Sequence, residues 1–201
     1  MKKIFQKILL ILILSSAVIS CNQKKQSASE EPETEETEKI IVEKIKPLEN
    51  ATEAFKQNMT EIFKGYLTIK DDLVNSNLDE TKASSSKLQK ELSSFNQPNV
   101  AMETNDAFIS ASLGINLTLT ALIESKDIEE QRDIFQILTA QVEDMIKKFG
   151  INEGTVFNQY CPMAFNNTGA NWLSDVDEIK NPYFGDVMLE CGEVKAAYTF
   201  N

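Results

Sequence analysis

The sequence predicts a mainly α-helical protein: an up-down four-helix bundle with an irregular, partly β C-terminal cap. Three observations predict it. Between residues 51 and 150, apolar side chains recur every three or four positions, the period of a helix with one buried face. The breaks between these stretches are mostly short, and short connections lay successive helices side by side and antiparallel. After Gly150 the helical period stops and turn residues take over.

The elements follow in order. Phe55, Met59, Ile62, Phe63, Tyr66, Leu67, Leu73 and Val74 fall on one face of a first helix. Asn77 with Glu80 three residues later has the form of a capping box that opens a second helix. There Leu78, Ser85 and Leu92 share one register, and Thr81, Leu88 and Phe95 share another. Asn96-Gln97-Pro98-Asn99 breaks the chain. A third helix carries Phe108, Ala111, Ile115, Leu119 and Leu122. Asp127 with Glu130 caps a fourth, whose core face is Phe135, Leu138, Val142, Met145, Ile146 and Phe149. Gly150 stands where a left-handed C-cap belongs. Burying each Leu or Phe is worth about 1.5–3 kcal/mol, so a bundle of this composition can hold itself together. Arg132, Glu143 and Asp144 read as solvated face residues.

Residues 1–20 read as a lipoprotein signal peptide. Lys2, Lys3 and Lys7 precede the apolar run Ile8 to Leu14, which is too short to span a bilayer. Val18-Ile19-Ser20-Cys21 has the form of a lipobox, with cleavage before Cys21 and acylation of that residue. The competing reading is an ordinary signal peptide that leaves Cys21 a free thiol. Several acyl chains would anchor the protein stably to a membrane. The expected location is therefore the periplasmic side of an outer or inner membrane. Residues 21–50 are rich in Gln, Lys, Ser, Glu, Thr and Pro and read as a disordered acidic tether.

Composition excludes several functions. The 201 residues hold 20 Lys and Arg against 31 Asp and Glu, a formal charge of −11. Such a chain does not seek nucleic acid through bulk charge. There is no His, which removes Ser–His and Cys–His catalysis and His-ligated zinc. No phosphate-cradling glycine loop is present. An enzyme is not expected, and no catalytic residue is assigned.

Residues 151–201 concentrate the distinctive chemistry: both remaining Cys, the single Trp, Pro162 and Pro182. Thr155 to Tyr160 is β-prone. Asn166-Asn167-Thr168-Gly169 and Asn181-Pro182 are turn signals. A helical turn over Ser174 to Ile179, capped by Ser174, is expected. Trp172, Tyr183 and Phe184 have the size to pack the cap onto the bundle. Two sulfur clusters stand out, Cys161-Pro162-Met163 and Met188-Leu189-Glu190-Cys191-Gly192. In an extended chain Cys161 and Met163 point to one side, and Met188 and Cys191 share a face of a turn. If the segment folds back, two thiols and two thioethers meet, and soft sulfur donors favour Cu(I). The spacing leaves this open against a Cys161–Cys191 disulfide, which two thiols in an oxidising compartment commonly form, and against free thiols. Zinc is disfavoured, because thioethers are poor zinc ligands.

The stretch from Tyr160 to Val194 resembles the bacterial family known as domain of unknown function 3347. The likeness is carried by Cys161-Pro162-Met163-Ala164, Gly169-Ala170, Trp172-Leu173-Ser174, Ile179, Asn181-Pro182-Tyr183-Phe184-Gly185, Met188 and Cys191-Gly192. The helical part resembles the family more loosely, best at Gln131-Arg132 and Phe135, and the likeness extends over about residues 51–196. Members are similar to, and sometimes fused with, periplasmic adaptor subunits of copper and heavy-metal efflux pumps. The resemblance implies Cys161, Met163, Met188 and Cys191 as ligands of a single Cu(I) or similar soft ion, with efflux-pump components as partners. It shifts the weight from the disulfide to the metal.

Overall fold

The structure is a computed structural model that describes residues 40–49, 51–95 and 101–200. The signal peptide, Cys21, most of the tether and the Asn96–Asn99 break lie outside the described residues. The fold is mainly helical with a mixed sheet at its C-terminal end.

Four long helices are α1 Glu53–Val74, α2 Leu78–Ser93, α3 Met102–Glu124 and α4 Ile128–Phe149. α1 packs on α2 and α4, α2 on α3, and α3 on α4. The expected faces form the core: Phe55, Tyr66, Leu73, Leu88, Ile115, Leu119, Leu122, Phe135, Leu138, Val142 and Phe149 are all fully buried. Ala111 and Phe95 are only partly buried and sit at its margin. Local chemistry sets the helix starts. Asn77 Oδ1 accepts the Glu80 N–H at 3.2 Å and Asp127 Oδ1 the Glu130 N–H at 2.9 Å, each satisfying a first-turn donor that has no intrahelical partner. Neither is reciprocated at the capping residue's own N–H: Glu130 reaches back past Asp127 and accepts the N–H of Lys126 at 2.8 Å. The Asn77 N–H instead goes to Asp72 O at 2.9 Å. Gly150 ends α4 at φ 77° and donates to Ile146 O at 2.8 Å.

The cap is more regular than expected. β2 Thr155–Cys161, β3 Ala170–Ser174 and β4 Glu193–Phe200 join β1 Ile41–Ile45 in one sheet, ordered β1-β4-β2-β3. β1 runs parallel to β4, while β2 is antiparallel to both β4 and β3. The tether boundary expected at residue 50 therefore moves. Ile40-Ile41-Val42 is a β-branched run inside an otherwise polar segment, and it adds an edge strand to β4. The helical turn expected over Ser174 to Ile179 is absent. Ser174 ends β3, and its hydroxyl accepts the Val176 N–H at 3.2 Å. The carbonyls of Val176, Asp177 and Glu178 are held by Gln159 Nε2 at 3.0–3.1 Å. The buried amide, whose two hydrogens are shared among the three carbonyls, gathers this segment into an irregular loop against β2.

Tyr183 and Trp172 anchor the cap, with ring centroids 6.1 Å apart, and Tyr183 lies 5.9 Å from Phe135 of α4. Phe184 is partly buried against the same core. Two residues assigned to a solvated face are structural instead. Arg132 is 7% exposed. Glu143 accepts hydrogen bonds from Tyr198 at 2.6 Å and Asn158 at 3.2 Å, and pairs with Lys147 at 2.8 Å. The sheet covers that side of α4, which helical periodicity alone cannot reveal. Asp144 is exposed, as its position suggests.

Candidate functional site

The sulfur-bearing residues sit at the end of β2 and in the loop before β4. Cys161 ends a strand that is covered on both faces. β2 pairs with β3 in unbroken register from Phe157–Ser174 to Cys161–Ala170, so its side chains alternate regularly and Cys161 shares a face with Gln159 and, across the ladder, with Trp172. The slip against β4 between Asn158 and Gln159 skips Lys195 of β4 and leaves that alternation intact. Asn158 donates to Glu143 of α4, and Gln159 to the carbonyls of Val176, Asp177 and Glu178; the loop after β3 covers the face that bears Cys161, which is fully buried.

The partner thiol comes from a loop that Asn181 closes. Asn181 is fully buried. Its N–H donates to Leu189 O at 2.8 Å, its Nδ2 to Cys191 O at 2.7 Å, and its Oδ1 accepts the Tyr183 N–H at 2.8 Å. A turn closed by the Cys191 N–H on Met188 O at 3.1 Å completes the loop. Gly192 follows at φ 154°, where a Cβ would stand 2.7 Å from Trp172 Cη2 and 3.1 Å from Tyr160 O. Only glycine fits between the indole and the neighbouring strand.

The result is that Cys161 Sγ and Cys191 Sγ meet at 2.9 Å across 30 residues of chain. Both are free thiols, Cys161 buried and Cys191 partly exposed. The hydrogen bond to Cys161, and then burial, push the Cys191 thiol up to about 11. Cys191 is therefore protonated near neutral pH and chemically quiet.

The two methionines neighbour the cysteines along the chain. The chain does not stay extended past Cys161: Pro162 and Met163 form a turn, and Met163 opens the short helical segment α5 Ala164–Asn167. The alternation argument for Cys161 and Met163 thus gives way to a turn. Two residues still separate them by at most about 7 Å of chain. Met188 is tied to Cys191 by the turn just described. Met163 and Met188 line one cavity of about 480 Å³, together with Glu129, Arg132, Asp133, Phe165, Tyr183 and Phe184. The cysteines are not among its lining residues. Among the described residues no three His, Cys, Asp or Glu side chains gather to hold a metal ion, so a soft-metal site here must draw on the thioethers.

Arg132 and Asn181 have roles at the site that the sequence reading did not assign to them. Arg132 Nε donates to Pro182 O at 3.0 Å and Nη2 to Ser76 Oγ at 3.0 Å, while Nη1 pairs with Glu129 at 2.8 Å. It ties the end of α1 and the start of α4 to the loop that carries Met188 and Cys191. The sequence shows Asn181 only as a turn former, and its triple role depends on neighbours brought by the fold.

Residues 62–154 match a family model described as "Protein of unknown function (DUF3347)". The match bears out the resemblance but falls on the helical body, and it ends before the sulfur-bearing segment that carried the likeness. No curated protein and no solved structure matches the chain.

Proposed function

We propose, from the premise that residues 62–154 belong to the DUF3347 family, that this protein is a non-enzymatic, periplasm-facing lipoprotein. It is held on a membrane through Cys21 and binds one soft cation, Cu(I) above all, in support of heavy-metal export or homeostasis. In this reading the helices form an up-down bundle that serves as a rigid platform. Efflux-pump components are its partners, and Cys161, Cys191, Met163 and Met188 are its donors.

One observation carries the reading. The fold brings Cys161 and Cys191 within 2.9 Å, and each has a methionine within a few residues that lines a common cavity. Two thiols and two thioethers are the soft donor set that Cu(I) prefers, and no imidazole competes for it. A thiol taking the ion must lose its proton, so uptake releases acid.

The experiment is titration of Cu(I) into the reduced full chain against a competing chelator, repeated with Cys191→Ser. Affinity far tighter than about micromolar, lost in the variant, supports the reading. Affinity no better than about micromolar (~8 kcal/mol) and indifferent to the substitution defeats it.

The sulfur separation itself favours a second reading. At 2.9 Å it lies between a covalent S–S bond of about 2.05 Å and the wider spacing that two bonds of about 2.3 Å to one ion impose. A small side-chain movement reaches either. Under oxidising conditions the pair closes into a disulfide that staples the loop to β2, and the domain acts as a structural or interaction module. Protein purified from its native compartment would then be lighter by about 2 Da and would gain free thiols on reduction.

A further inference from the structure

We infer that the outer face of α3 is a self-association surface, through which two copies of this chain pair antiparallel about a two-fold axis at Leu113. The inference is independent of the metal reading and goes beyond it.

The exposed side of α3 differs from those of its neighbours. From Ala107 to Ile123 the helix carries no charged residue, although 25% of the whole chain is charged. Ile109, Leu113 and Leu117 are 48%, 61% and 74% exposed. Spaced by four, they form one stripe along the helix. The outer sides of α1 and α4 bear charges instead, such as Glu61 and Lys64 on the one and Asp133 and Asp144 on the other. The inner side of α3 already supplies the core, with Phe108, Ile115, Leu119 and Leu122 buried. The stripe is therefore apolar surface that folding of one chain does not use, and such surface marks an interaction site. It continues onto α4. A Cβ at Gly114 would stand 3.4 Å from Gln141 Nε2, and exposed Ile137 lies one turn before Gln141 on that helix.

Charge and symmetry identify the occupant. α3 contains no Lys or Arg, and Glu103, Asp106 and Glu124 stand at its ends, whereas a helix lying on a lipid surface carries basic residues beside its apolar face. α3 is long and apolar enough to cross a membrane, yet crossing would strip the bundle from its buried side. A protein surface suits the stripe, and the stripe is its own complement. An axis at Leu113 sets Leu113 on Leu113 of the second copy, Ile109 on Leu117, and Leu117 on Ile109. Asp106 then comes opposite Thr120, and Met102 opposite Glu124, so no two acids stand directly opposed. Parallel pairing would set Asp106 on Asp106 and Glu124 on Glu124. This reciprocal matching is what a two-fold interface requires. From Met102 to Ala121 the stripe is about 30 Å long and about 10 Å wide. That is well short of the ~800 Å² per partner of a stable interface, so the dimer is weak and concentration-dependent.

The test uses the fact that a residue on a two-fold axis meets itself. The reduced full chain is followed by sedimentation equilibrium from micromolar to millimolar concentration. Beside it run Leu113→Glu, Leu113→Lys and an equimolar mixture of the two variants. Leu113 is exposed, so both variants should keep the fold, which circular dichroism checks. The N-terminal apolar run is the same in every sample, so association through it does not vary with residue 113. The wild type should dimerise. Either variant alone places like charges face to face, and its dissociation constant should rise by about tenfold or more (~1.4 kcal/mol). The mixture places Glu against Lys and should restore pairing. A wild type that stays monomeric throughout overturns the inference, and so does a dimer indifferent to both substitutions. Weakening in both variants without recovery in the mixture overturns the axis at Leu113. A monomer that floats with phosphatidylcholine vesicles, and does so less in Leu113→Glu, makes this a membrane face and overturns self-association.

Discussion

Tyr66 Oη accepts the backbone N–H of Leu173 at 3.0 Å, joining α1 to β3 across 107 residues of chain. The same oxygen lies 2.8 Å from Thr139 Oγ1 of α4. Tyr66 is fully buried, and burial drives its phenol well above the ordinary tyrosine range. One hydroxyl thus couples two helices to the sheet. Tyr66→Phe keeps the ring but leaves a buried amide and a threonine hydroxyl without this partner. Such a loss costs about 1–3 kcal/mol. Urea unfolding should show a lower midpoint with an unchanged slope. An unchanged midpoint would show that the contact adds nothing.

Arg132 is the strap between the helices and the sulfur-bearing loop. Arg132→Lys keeps the charge, but an ammonium cannot span Pro182 O, Ser76 and Glu129 with the geometry of a guanidinium. The expected destabilisation is about 1.5–3 kcal/mol, the range for hydrogen bonds made by a charged group. The loop should also loosen. Amide hydrogen exchange at Asn181 and Cys191, whose N–H groups bond within it, should quicken more than exchange in α1. Equal acceleration everywhere would mean that the arginine stabilises the whole fold rather than the loop.

Stability should fall in strong alkali, in part through Tyr198. Burial first, and then the hydrogen bond to Glu143, push this phenol from 10.0 up to about 12. The folded protein therefore holds the proton more tightly than the unfolded chain does. The associated stability is complete below the unfolded value near 10 and is lost as pH rises through about 12. Cys191, Tyr66 and Tyr183 are raised as well and act in the same direction. In Tyr198→Phe the decline between those pH values should be shallower yet still present. A decline as steep as in the wild type would remove Tyr198 from the account.

Gly192→Ala should disturb the thiol pair. The new methyl would press on Trp172 and the Tyr160 carbonyl, and forced overpacking costs about 1–3 kcal/mol. The indole is fully buried and has little room to yield, so the strain should move Cys191. Diamide should then form the Cys161–Cys191 disulfide more slowly than in the wild type, as followed by mass spectrometry. Cross-linking at an undiminished rate would show that the loop absorbs the methyl without shifting the sulfur.

What was legible in the sequence was local. The buried faces of α1 to α4 follow from a 3.6-residue period, and the starts at Asn77 and Asp127 follow from side chains that reach three residues ahead. β2 was legible from its composition. β1 and β4 were not, since Ile41–Ile45 lies in a polar stretch and becomes a strand only because β4 is there to pair with it.

The sequence by itself determined which faces the helices bury, and that four sulfur atoms lie in two short clusters. Those outcomes rest on neighbours within a few residues, where chain geometry leaves little choice. Only the tertiary structure decided that Cys161 turns inward, that Cys191 comes to meet it, and that Arg132 and Glu143 bind the sheet and its loops to the helices. Each depends on contacts between residues 15 to 56 positions apart, and side-chain periodicity along one element carries no record of what another element presses against it.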